Sequence, residues 1–163
     1  MGYTDLYISV NLSPSQFKQR DLVKRIAGVL ESLELEGRFL KLELTEGTIM
    51  EDPEDAIVKM EKLKSLGINI SIDDFGTGYS SLNYLKQFPI DTLKIDKSFI
   101  DDVESNVNNQ EIVKAIISMA RNIRIETLAE GVETLDQLTF LLKEGCQNIQ
   151  GYYWKEKEVI DKL

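Results

Sequence analysis

The chain has 163 residues, 42% of them hydrophobic and 29% charged, with a net charge of −9 and no histidine. That length suits one domain with a sizeable core. The missing histidine excludes Ser-His-Asp and Cys-His catalysis and His-ligated zinc, and the acidic balance disfavours nucleic-acid polymers, whose backbone calls for a basic face.

Cys146 is the single cysteine, so no intrachain disulfide can form and a reducing, cytoplasmic setting is expected. No apolar run approaches the ~18 residues of a membrane span.

Short apolar, β-branched runs alternate with segments of helical period. Leu6-Tyr7-Ile8-Ser9-Val10 reads as a first strand, followed by a helix whose face carries Leu22, Val23, Ile26, Val29, Leu30 and Leu33. Leu40 to Leu44 is a second strand. The helix with Ile57, Met60, Leu63 and Leu66 follows, stopped by Gly67. Ile68 to Ile72 is a third strand, and Ser80 to Phe88 supplies a short helix before Pro89. Thr92 to Ile95 is a fourth strand. The polar stretch Asp101 to Gln110 reads as a loop leading into a helix with Ile112, Ile116, Met119 and Ala120. Ile125 to Leu128 is a fifth strand. Thr134 with Gln137 forms a capping box for the helix with Leu135, Leu138, Leu141 and Leu142, closed by Gly145. Asn148 to Tyr152 is the sixth strand. Such alternation predicts a parallel sheet with right-handed crossovers in one domain over residues 1–163. It fits either an open doubly wound sheet or a (β/α)8 barrel that shows about six of its eight units.

Polar side chains collect where strands end: Asn11, then Glu43 and Glu46, Asp73-Asp74, Lys94 and Asp96, Glu130, and Gln150. Each alone is ordinary, since Asn11 could be a turn residue, Glu43 a solvent-facing strand residue and Lys94 an ion-pair lysine. Together they would converge on the mouth of a barrel, where barrel enzymes place catalysis, whereas an open sheet would spread them along a line. The pattern therefore favours the α/β, partial TIM-type barrel. Hard oxygen ligands without histidine suit Mg2+ or Mn2+. Adjacent Asp73 and Asp74 could serve two ions ~3.5–4 Å apart, the spacing of metal pairs in phosphoryl displacement. Lys94 would add a positive charge beside the reacting water.

Six segments carry a resemblance to a known family. They are Val10-Asn11-Leu12-Ser13-Pro14-Ser15-Gln16, Leu42-Glu43-Leu44-Thr45-Glu46, Ile72 to Leu82 with Asp73-Asp74-Phe75-Gly76-Thr77-Gly78, Leu93 to Phe99, Ala129 to Thr134, and Gly145-Cys146 with Gln150-Gly151-Tyr152. In this order they resemble the EAL domain, whose members hydrolyse the bacterial second messenger cyclic di-GMP to linear pGpG. The resemblance implies that Asn11, Glu43, Asp73, Asp74 and Glu130 are metal ligands and that Lys94 lies near the nucleophilic water, with Gln150 at the same site. It implies that Glu46 steadies the loop after the aspartate pair, that this loop links metal binding to dimer formation, and that Glu133 is a supporting carboxylate.

Three departures from the family pattern stand out. The tripeptide Glu-Ala-Leu occurs nowhere in the chain. In the family it lies before the first strand seen here and contributes a further metal-ligating glutamate, so the chain reads as lacking the first two strand-helix units. Trp154-Lys155-Glu156-Lys157 replaces the usual Lys-Pro, and Arg124 stands where glycine is common. The expectations are homo-oligomerisation, as a dimer through open barrel edges or the loop after Asp74, and little or no turnover by the chain as written. The domain could also belong to a larger membrane-tethered or multidomain regulator. A non-catalytic module that binds the nucleotide or a protein, and a different metal-dependent barrel enzyme, remain the alternatives.

Overall fold

The computed structural model describes residues 6–78 and 82–153. The described residues fall into two compact units, one within Met1–Asp73 and Gly78–Asp91, the other within Asp74–Thr77 and Thr92–Leu163.

The first unit runs β1 (Ile8–Asn11), α1 (Pro14–Phe17), α2 (Leu22–Ser32), β2 (Leu40–Thr45), α3 (Glu46–Met50), α4 (Pro53–Ser65), β3 (Asn69–Phe75) and α5 (Leu82–Leu85), with the last two residues of β3 counted in the second unit. β1 pairs parallel with β2, and β2 with β3, in registers that set Asn11 opposite Glu43 and Thr45 opposite Asp73. Parallel neighbours need long crossovers, which α2 and α4 supply. Local signals fix the starts of α1 and α4. Ser13 and Gln16 form a reciprocal capping box at α1, the Asp52 side chain accepts from the Asp55 N–H at α4, and Pro begins both helices. Leu42, Leu44, Ile49, Met60, Leu63, Ile70 and Ile72 are almost wholly buried, each adding about 1.5–3 kcal/mol. β1 is the exception, with all four residues exposed.

Two expectations for this unit change. Glu46, expected at the end of the second strand, opens α3 instead. The strand stops at Thr45, whose hydroxyl lies 2.8 Å from that of Thr48, and an acidic first-turn residue suits the positive end of a helix. The helix expected over Ser80 to Phe88 is α5, extended by a turn in which the Phe88 N–H donates to the Tyr84 carbonyl. Tyr79, Ser80 and Ser81 lie outside the described residues.

The second unit runs β4 (Thr92–Ile95), α6 (Lys97–Ile100), α7 (Val107–Asn122), β5 (Glu126–Glu130), α8 (Leu135–Glu144) and β6 (Asn148–Gln150). β4 pairs parallel with β5, and β5 with β6, so that Lys94 lies opposite Leu128 and Glu130 opposite Gln150. Leu93, Ile95, Ile100, Val103, Ala129 and Leu141 are fully buried. The polar stretch expected as loop to Gln110 is helical from Val107, because the Asn106 side chain accepts from the Asn108 and Asn109 N–H groups. The Thr134–Gln137 capping box forms, and the buried Gln137 amide also donates to the Ile100 carbonyl. Gly145 ends α8 at φ 92°. Arg124 follows α7 at φ 62°, the left-handed conformation that glycine adopts without strain. The sixth strand ends at Gln150, not Tyr152, and Trp154 to Lys157 lie outside the described residues.

Candidate metal centre

The period of a strand decides which side chains share a face. In the first unit Asn11 and Glu43 are register partners on neighbouring strands, and Thr45, two residues beyond Glu43, is the register partner of Asp73. Asn11, Glu43 and Asp73 therefore share one face. Glu43 is only 9% exposed, and its neighbours Leu42 and Leu44 are buried at 2% and 0%, because β2 is covered on both faces. Glu46 is buried, and its carboxylate lies where a Cβ on Gly78 would come within 3.1 Å of it. It thus packs directly against the loop that follows the aspartate pair.

In the second unit Lys94 and Leu128 are register partners, and so are Glu130 and Gln150, which puts Lys94, Glu130 and Gln150 on one face. Lys94 is 4% exposed, and its Nζ lies 2.6 Å from Glu130 Oε1. Such a buried pair strongly couples the two groups. Asp74 and Glu130 bring carboxylate oxygens within 4.8 Å of each other.

Adjacent residues on a regular strand point to opposite faces, so Asp73 and Asp74 should diverge. They do not, because Asp74 has φ 55°. Aspartate tolerates this left-handed conformation better than most residues. The turn that follows is held by the Thr77 hydroxyl, which donates to the Asp74 carbonyl at 2.8 Å. Gly76, at φ 97°, lies against the Phe99 ring, where a Cβ would approach to 2.9 Å.

Carboxylates this close repel one another unless positive charge joins them. The Lys94 ammonium supplies part of it. The remaining donor set, oxygen only, fits a hard divalent cation. Cys146 offers no alternative nucleophile, since burial pushes its thiol up and holds it in the neutral form.

Glu133 has partners of its own. It pairs with Lys97 at 2.8 Å, and its N–H donates to Gln137 Oε1. Sequence reasoning did not single out Lys97. Its stem packs so closely on Gly131 that a Cβ there would lie 2.4 Å from the Lys97 Cγ. The sequence cue was the glycine directly after Glu130.

A family model described as EAL domain matches residues 2–157. The Cyclic di-GMP phosphodiesterase NbdA of Pseudomonas aeruginosa is 44% identical over 151 residues, which is 93% of this chain and 19% of that protein. Signaling protein YkoW of Bacillus subtilis is 43% identical over 153 residues, 94% of this chain and 19% of that protein. The chain thus spans 19% of the length of these curated relatives. Among solved structures, the PaMucR phosphodiesterase in complex with c-di-GMP matches with a TM-score of 0.90 at 44% identity, covering 93% of this chain and 62% of that one. The FimX EAL domain from Pseudomonas aeruginosa bound to c-di-GMP matches with a TM-score of 0.84 at 27% identity, over 90% of this chain and 60% of that one. The fold class is α/β, a partial TIM-type barrel.

Proposed function

Since the chain belongs to the EAL-domain family, we propose that it acts in cyclic di-GMP signalling and carries the metal-holding part of a phosphodiesterase that opens cyclic di-GMP to pGpG. The observation that supports this reading best is the approach of the Asp74 and Glu130 carboxylates to within 4.8 Å of each other, with Lys94 paired to Glu130.

In this reading Asn11, Glu43, Asp73, Asp74 and Glu130 hold Mg2+ or Mn2+. A divalent cation held there supplies a Lewis-acid charge that lowers the pKa of a water and offsets the phosphodiester's negative charge. Hydrolysis joins the water oxygen to phosphorus and breaks one ester P–O bond, and the leaving oxygen gains a proton. Lys94 keeps a fixed positive charge toward the negative charge that develops, and Glu130 orients the Lys94 ammonium. Gln150 offers an amide donor and acceptor to the same face. Glu46 holds the loop after Asp74 through Gly78, and Glu133, anchored by Lys97, supports the segment after Glu130.

The same reading includes a dimer through the exposed β1 strand or the loop after Asp74, and a cytoplasmic setting that suits the reduced, buried Cys146. A clean monomer at high concentration in size-exclusion chromatography would overturn the dimer.

Ligand binding is the first measurement. Calorimetric titration with cyclic di-GMP should show binding that Mg2+ strengthens, and prolonged incubation with Mn2+ should release pGpG. Glu130→Gln should lose the metal dependence of both. No binding with or without Mg2+, or equal turnover by Glu130→Gln, would refute the reading.

A further inference from the structure

A different part of the first unit carries a charge pattern opposite to that of the chain as a whole. An open groove of about 520 Å³ lies along α2 and α4, lined by Lys18, Arg20, Lys24, Lys59 and Lys62 against a single carboxylate, Asp55. The chain carries a net charge of −9, so five cations to one anion on one surface is a marked local reversal. Two of the cations are engaged. Lys59 pairs with Asp55 at 2.7 Å and also donates to the Phe17 carbonyl, and Lys18 pairs with Glu51. The side chains of Arg20, Lys24 and Lys62 are exposed and make no ion pair among the described residues. Neighbouring like charges repel, so the cluster is a cost to the isolated fold that an anionic partner would relieve. The rest of the lining is apolar. Val23, Ala27 and Val58 complete it, and Val58 is 46% exposed.

We propose that this groove docks an acidic amphipathic helix of a partner protein. The apolar residues would receive its Leu or Val side chains, and Arg20, Lys24 and Lys62 would receive Asp or Glu spaced at i, i+3 and i+4. Charge complementarity selects this occupant. The acidic remainder of the chain repels polyanions such as nucleic acid and anionic membrane, whose charge spreads far beyond the groove. A short acidic helix meets only the local basic field. The apolar lining gives a helix an advantage that a bare phosphate or polyglutamate lacks. The proposal is independent of cyclic di-GMP chemistry.

The test uses the full 163-residue chain and a fluorescein-labelled 14-residue peptide with Glu at i, i+3, i+4 and i+7 and Leu on the opposing stripe. A peptide of the same composition in scrambled order and vesicles containing phosphatidylglycerol serve as comparators. The patterned peptide should bind saturably, more tightly than the scrambled one, and more weakly as salt rises. Its amide shift changes should map to residues of α2 and α4. The double reversal Lys24→Glu with Lys62→Glu, at two exposed positions, should weaken it by about tenfold or more while leaving the far-UV spectrum unchanged. A separate reversal, Lys114→Glu on α7, should leave peptide binding unchanged. Lack of peptide binding, equal binding of the scrambled peptide, indifference to the double reversal, or binding to the vesicles alone would each overturn the proposal.

Discussion

Replacing Lys94 by Met tests the electrostatics of the acidic group directly. The change keeps most of the side-chain volume and removes the charge that lies 2.6 Å from Glu130 Oε1. The Lys94 and Glu130 side chains are only 5% and 18% exposed. At an effective dielectric near 20 the gross attraction is about 6 kcal/mol. Desolvation of both ions offsets much of it. Removing one partner leaves a poorly solvated carboxylate behind, which for a buried pair costs about 3–5 kcal/mol. Glu130 retains some water access, so the lower end, about 3 kcal/mol, is expected here. For a chain of this length that lowers the melting temperature by about 6–12 °C. Urea denaturation in the presence of a chelator measures the loss. Repeating it with Mn2+ supplies the decisive comparison. A ligand at a hundred times its Kd stabilises the folded state by about 2.7 kcal/mol. In the variant Mn2+ should stabilise at least as much as in the native chain, because the cation takes over the Lys94 charge beside Asp74 and Glu130. Loss of less than about 1 kcal/mol without metal, or no stabilisation of the variant by Mn2+, would refute the reasoning.

Other expectations follow from the same geometry. Gly131→Ala should cost about 1–3 kcal/mol, because Gly131 has φ 68° and a Cβ would lie 2.4 Å from Lys97 Cγ. Since Glu130 precedes it, Mn2+ affinity measured by calorimetry should fall as well, and unchanged affinity would separate the glycine from the site. Arg124→Gly, at φ 62°, should raise stability by about 1 kcal/mol in thermal unfolding, and a loss of stability would contradict that account. Burial raises the Cys146 thiol, so the folded state holds this proton more tightly than the unfolded state does. Stability should therefore begin to fall as pH climbs past the ordinary thiol value. A thiol reagent should modify Cys146 only in denaturant, and rapid labelling of the native chain would show the burial to be wrong.

Most of the framework was legible in the sequence, and the physical reasons differ from element to element. The β2 and β3 strands announced themselves through Leu40, Leu42 and Leu44 in one and Ile68, Ile70 and Ile72 in the other, apolar residues repeating at the two-residue period of a strand. The Thr134–Gln137 box and Gly145 marked both ends of α8, since caps are local chemistry that needs no tertiary context. The short helices α1, α3 and α6 were not read. Four or five residues carry too little periodicity, and their caps, such as Ser13 with Gln16, compete with turn readings. The start of α7 was missed because Asn106 to Gln110 is polar but for Val107, and only the Asn106 side-chain hydrogen bonds reveal the cap. At the site, the strand-end residues could be named from their positions. The burial of Glu43 could not, because alternation alone leaves open whether the second face meets solvent or protein. The Lys97–Glu133 pair joins residues 36 apart, a distance no local pattern spans.

The left-handed kink at Asp74 governs how this position can be interrogated. Asparagine shares aspartate's ease with that backbone geometry, so Asp74→Asn changes the ionic character and leaves the main chain at rest. Alanine lacks that ease, so Asp74→Ala removes the anion and also favours unbending the strand, swinging the side chain toward the other side of the pleat. A comparison of the two variants thus separates ligand chemistry from chain trajectory, and an alanine scan on its own would merge them into a single number.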